Sequence, residues 1–155
     1  MKRLIFYGAA LALIAMLGWM PFSPSDVADL KPVELIYIDA ERGPVLVKTD
    51  TGGSGRGQTL AEAFQDLKQT TAGNIFLETA DHLIVSEKAR PYLQSAVRFL
   101  RPACNVCVAD REPELETAAA FLRTHEPNMT LQDFRTGIRD LPKLRSIEGR
   151  MYLVE

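Results

Sequence analysis

The chain has 155 residues, 46% of them hydrophobic and 25% charged, with a formal net charge of −2. That is enough chain for one domain with a real core, and the composition is globular rather than disordered or fibrous. A slightly acidic balance without a basic cluster provides no electrostatic footprint for nucleic acid.

Lys2 and Arg3 precede an uncharged apolar run over residues 4–20, which ends at Pro21. A basic start followed by such a run describes a signal anchor or a signal peptide, with residues 4–20 engaging the membrane. Its length, about 17 residues, is the lower limit for crossing a bilayer core. Trp19 stands where an interfacial aromatic belongs, and the two cations favour a cytoplasmic N-terminus. Retention as a single-pass anchor leaves the rest of the chain outside the cytoplasm; cleavage would secrete it. The small-residue spacing for cleavage is poor, with Ser23 and Ser25 the best pair. No cysteine follows the run, so attachment through a lipoprotein-type cysteine there is excluded.

Residues 21–32 hold three prolines and suit an extended linker, which places a single domain over residues 33–155. Residues 33–38 (VELIYI) read as a buried strand, and Gly43-Pro44 turns the chain into an antiparallel partner at 45–48. Four glycines in residues 51–58 (TGGSGRGQ) predict a mobile loop. Thr59 with Glu62 forms a capping box, and Leu60, Ala63, Phe64 and Leu67 recur at helical spacing up to a stop at Gly73. Residues 74–78 and 82–85 read as short strands. A helix with Pro91 in its first turn follows to Arg101, then a strand at 105–109. Helices are predicted over 112–124 and 130–140, and a last strand over 150–154. The expected class is α/β of the α+β type: a mixed sheet of about six strands packed by about four helices, preceded by the membrane or signal segment.

Several pieces of this order resemble the N-terminal domain of the Ger(x)C-type spore-germination lipoproteins. They are Ile36-Tyr37-Ile38-Asp39, Gly57-Gln58-Thr59-Leu60 with Glu62-Ala63-Phe64, and Leu83-Ile84-Val85-Ser86-Glu87. The stretch at 96–101 (AVRFLR), followed by Val106-Cys107-Val108-Ala109, is similar to that family's helix, arginine and strand. The resemblance spans residues 33–123. It implies a membrane-attached, non-enzymatic subunit acting beside integral membrane proteins. The chain departs from the family in lacking the lipidated cysteine and the further domains that follow in its members.

Other constellations have structural explanations beside functional ones. Gly52, Gly57, Gln58 and Thr59 fall at phosphate-loop spacing, but Gln58 stands where lysine must neutralise phosphate. Backbone amides at Gly53, Gly55, Gly57 and Gln58, beside Arg56, could still meet an anion or a peptide. Cys104 and Cys107 form a C-x-x-C, the spacing of a thiol pair or half a zinc site. A regular strand would point them in opposite directions, leaving two small buried residues; a disulfide would require a local turn. His82 follows Asp81 at a strand start, and His125 closes a helix where its charge complements the dipole. The acidic run at 110–116 suits a helix start, and Arg135, Arg139, Lys143 and Arg145 suit a solvated helix face.

The expected role is therefore a membrane-anchored extracytoplasmic protein-binding or assembly module, accessory to a spore-germination-like receptor complex, with an integral membrane protein as partner. The alternatives are a thiol-redox protein using Cys104 and Cys107, and a small-ligand binder using Gly53, Gly55, Arg56, Gly57 and Gln58. No catalytic residue, cofactor or metal is implied.

Overall fold

The computed structural model describes residues 30–40, 43–72, 74–138, 140–147 and 149–154. The apolar segment 4–20 lies outside them. No helix of the described residues is long and apolar enough to cross a membrane.

Among the described residues nine strands run β1 (Leu30–Pro32), β2 (Leu35–Asp39), β3 (Val45–Thr49), β4 (Ser54–Gly57), β5 (Asn74–Phe76), β6 (His82–Ser86), β7 (Asn105–Ala109), β8 (Lys143–Ile147) and β9 (Arg150–Val154). Four α-helices are interspersed among the described residues: α1 (Leu60–Thr70), α2 (Leu93–Ala96), α3 (Leu115–Leu122) and α4 (Leu131–Thr136). The main sheet has seven strands in the order β4-β3-β2-β6-β7-β8-β9. Its centre, β2-β6-β7-β8, is parallel, while β3 and β9 are antiparallel flanks. The class is thus α+β with a mixed sheet.

Parallel strands must be covered on both faces, and the central strands are apolar on both. On one face Ile36, Ile38, Leu83, Val85, Val106 and Val108 pack under α1, α2 and α4. On the other, Leu35, Tyr37, Ile84, Cys107 and Ala109 pack under α3 through Ala118, Ala119 and Leu122. Each fully buried Leu or Ile in these layers stabilises the fold by about 2 kcal/mol. Helix starts are capped as their sequences suggest. Thr59 Oγ1 accepts from Glu62 N–H at 3.2 Å, although Glu62 answers the N–H of Gln58 rather than that of Thr59. Thr130 and Asp133 form a complete reciprocal box.

Five expectations need correction. Residues 54–57 are the edge strand β4, not a mobile loop. Their glycines serve close approach: a Cβ on Gly55 would collide with the Ala63 carbonyl and the Leu67 amide of α1, and one on Gly57 with Glu62 and Ala63. The linker reaches less far than residue 32, because Leu30–Pro32 forms a small parallel sheet with β5. The strand at 74–78 stops at Phe76 and turns into a 3-10 turn at Leu77–Thr79, outside the main sheet. Pro91 lies within a 3-10 turn, Glu87–Tyr92, which precedes the α-helical residues. The helices predicted over 112–124 and 130–140 are shorter: Glu114 caps α3, and Gly137, at φ 111°, ends α4.

A sixth correction concerns Lys143 and Arg145, which lie on β8 and not on a helix face. Leu141-Pro142 breaks the helical periodicity, and the alternation around buried Leu144 then selects a strand. Arg139 and the helix stop expected at Gly73 lie outside the described residues; α1 ends at a Thr71 cap. Because α1 rests backbone-close on β4, Gly55→Ala should destabilise the protein by about 3 kcal/mol through overpacking. Urea denaturation should show this as a lower midpoint at unchanged slope.

Candidate functional site

The central parallel strands end together at one pole of the sheet. There Tyr37, Asp39, Lys48, Arg56, Ser86 and Glu112 line a broad depression of about 760 Å³. It exists because α3 is too short to reach across β3 and β4, leaving their outer side chains open. Three ion pairs lie in it or at its rim. Lys48 Nζ meets Glu112 at 2.5 Å, Lys143 meets Glu87 at 3.1 Å, and Arg145 meets Asp110 at 3.6 Å. The hydrogen bond from Lys143, joined by Arg90, holds the Glu87 carboxyl below the usual carboxylate range. Ser86 Oγ is engaged in capping, accepting the N–H of Ala89 at 3.2 Å.

His82 sits at the opposite end of β6 from Ser86, a separation of about 13 Å along the strand. It is only 4% exposed, and its Nδ1 is buried with no hydrogen-bond partner among the described residues. Around it lie Glu34, Arg123 and Glu126, with Arg123 paired to Glu34. Burial pushes its imidazole below the ordinary histidine range, against the pull of the two carboxylates. Asp50, nearby through its 3.2 Å acceptance of the Glu34 N–H, is pushed upward by burial. These groups buttress the N-terminal ends of the strands.

The residues singled out from sequence separate. Gly53, Gly55 and Gly57 pack beneath α1, and the Arg56 and Gln58 amides already donate to Asp66 at 2.8 Å and Glu62 at 2.9 Å. Only the Arg56 side chain turns toward the crevice. Cys104 and Cys107 are both free and buried, one in each hydrophobic layer, on opposite faces of the sheet. Burial pushes each thiol up to about 12, which suppresses the thiolate needed for exchange chemistry. His125 stacks on Phe121 at 4.4 Å and accompanies the end of α3. Glu114 caps that helix by accepting from Thr117 N–H at 2.9 Å, so the acidic run does serve a helix start. Among the described residues no three His, Cys, Asp or Glu side chains converge as a metal site.

The surface that sequence reasoning missed is one face of the β8–β9 hairpin. Lys143, Arg145, Ile147, Arg150, Tyr152 and Val154 share it through the pairs 143–154, 145–152 and 147–150. Ile147 is 55% exposed, Tyr152 45% and Val154 47%. Three large apolar side chains alternate there with three cations, outside any helix. The period-2 pattern of 143–147 was the available signal, hidden by its basic residues. No family model, curated protein or solved structure matches the chain.

Two outcomes follow from this geometry. Both thiols should resist alkylation at pH 8 in the native protein and react fully in denaturant, as thiol titration would show. His82 in the unfolded chain titrates near 6.5 and in the native chain lower. Its contribution is therefore complete above 6.5 and lost as pH falls from there toward the native value. The raised Asp50 titrates in the opposite sense, in a window opening above 3.8. His82→Leu should flatten the loss of stability below pH 6.5, measured as urea midpoints across pH.

Proposed function

We propose that this chain is a membrane-tethered, extracytoplasmic assembly module that works by protein contact, accessory to a germination-receptor-like membrane complex. The observation that carries the reading is the exposed hairpin face. Interfaces favour aromatic and aliphatic anchors with arginine, and here Tyr152, Ile147 and Val154 stand among Arg145, Arg150 and Lys143. The tether is supported by Lys2, Arg3 and the apolar run at 4–20, and the receptor context by the Ger(x)C resemblance over residues 33–123. Lys143 and Arg145 already meet Glu87 and Asp110, so Arg150 is the cation of this face that suits an acidic group on a partner. Neither thiol chemistry nor phosphate capture draws similar support, since Cys104 and Cys107 face apart and Gly55 and Gly57 are filled by α1.

A photo-crosslinking residue at Tyr152 of the tagged full-length protein tests this in membranes of sporulating cells. It should capture an integral receptor-type subunit stoichiometrically, whereas the same probe at Lys68 on α1 should not. Equal capture from both positions, or none from Tyr152, would remove the reading.

A further inference from the structure

The two margins of the main sheet are treated differently. At the β4 margin, α1 supplies side chains to the outward main-chain groups. Asp66 accepts the Arg56 N–H, Glu62 accepts the Gln58 N–H, and Thr70 Oγ1 donates to the Ser54 carbonyl at 3.0 Å. At the β9 margin, among the described residues, only β8 hydrogen-bonds the strand. Native proteins usually blunt such an edge with proline, inward charge, a bulge or a covering helix. Among the described residues β9 carries one charge, Arg150 at its start, and none of the other devices over Met151, Tyr152, Leu153 and Val154.

Register identifies what fits it. Two residues lie between Ile147 and Arg150, so this closing pair of the hairpin is the hydrogen-bonded one. Alternation then turns the main-chain groups of Arg150, Tyr152 and Val154 toward β8, and those of Met151 and Leu153 outward. An antiparallel copy of the same strand, centred on Tyr152, sets Met151 against Leu153 and Leu153 against Met151. All four outward donors and acceptors are then satisfied at once. We propose that β9 pairs with β9 of a second copy of this chain across a two-fold axis through Tyr152, joining two seven-stranded sheets.

The side chains agree with that pairing. Arg150 falls opposite Val154 of the other copy, so like charges do not oppose each other. Tyr152 meets its own equivalent at a non-hydrogen-bonded position, where Cα atoms approach to about 4.5 Å. Met151 and Leu153, half-buried on the other face, extend the layer beneath α3 across the axis. An isologous contact of this kind closes at two copies and does not propagate. One pair of five-residue strands buries less than the roughly 1,200 Å² of a standard interface, so the contact is weak in dilute solution and strengthens where copies share one surface. The exposed face holding Ile147, Tyr152 and Val154 remains open in the dimer and is doubled by it.

Disulfide trapping in the full-length protein, in detergent micelles and in native membranes, tests the register. Tyr152→Cys should give a linked dimer on mild oxidation, since the Cα spacing lies within disulfide reach. Arg150→Cys alone should not link, while Arg150→Cys mixed with Val154→Cys should. Cys104 and Cys107 are buried and do not compete. Met151→Pro removes an outward N–H that the hairpin does not use. In the Tyr152→Cys background it should abolish trapping, while Met151→Ala, which makes the same loss of packing beneath α3 but keeps the N–H, should still link. Sedimentation of the unsubstituted protein should show mass rising toward a dimer with concentration. A folded Tyr152→Cys protein that stays monomeric, or Arg150→Cys linking to itself equally well, overturns the proposal. So does Tyr152→Cys linking only to another membrane protein, an outcome that leaves the assembly reading standing.

Discussion

The structure depends on one requirement: strands β2, β6 and β7 run parallel and must be dry on both sides. Each crossover between them has to deliver a cover. The connections supply α1, α2 and α4 to one face and only the eight-residue α3 to the other. The unequal supply accounts for what is unusual in the fold. The well-covered face holds the larger core, including the tilted Phe64–Phe99 pair at 5.0 Å. The thinly covered face leaves the outer sides of β3 and β4 open beside the strand ends, where Lys48 and Glu112 span the depression.

The glycine segment shows how a local pattern can mislead. Gly53, Gly55 and Gly57 alternate, and alternation is strand language once their role as missing side chains is considered. Read by composition they signalled a loop, because propensity scales count glycine against strands. What selects the strand is tertiary: α1 lies so close to β4 that only hydrogen fits on the facing Cα atoms. That proximity also lets Asp66, Glu62 and Thr70 reach the strand's main chain and close its edge.

Elements built from strong local chemistry were legible in advance. The strands around Ile36, Leu83 and Val106 declared themselves by continuous apolar runs, and the starts of α1 and α4 by Thr59 and Thr130. The opposed placement of Cys104 and Cys107 agrees with strand parity, although Cys104 lies one residue before β7. The strand at 150–154 was legible, but the hairpin face was not, because Arg135, Arg139, Lys143 and Arg145 suit a solvated helix face. Gly137 is an ordinary left-handed helix stop, but nothing local announces that Leu144 then becomes a core residue. His82 was visible as a titratable residue, but its burial beside Glu34 and Arg123 brings together residues far apart in the chain.

The placement of the two thiols has a use beyond excluding redox chemistry. Cys104 lies in the layer beneath α1, α2 and α4, and Cys107 in the layer beneath α3. A single segment therefore carries one native reporter for each core. Single-cysteine forms would let labelling rates under native conditions resolve whether the two layers open together or in succession. The layer held by one short helix is the natural place for the lower opening free energy. In that sense the sheet divides the protein into two compartments of unequal permanence, with the chain's own sulfur atoms keeping separate time on each.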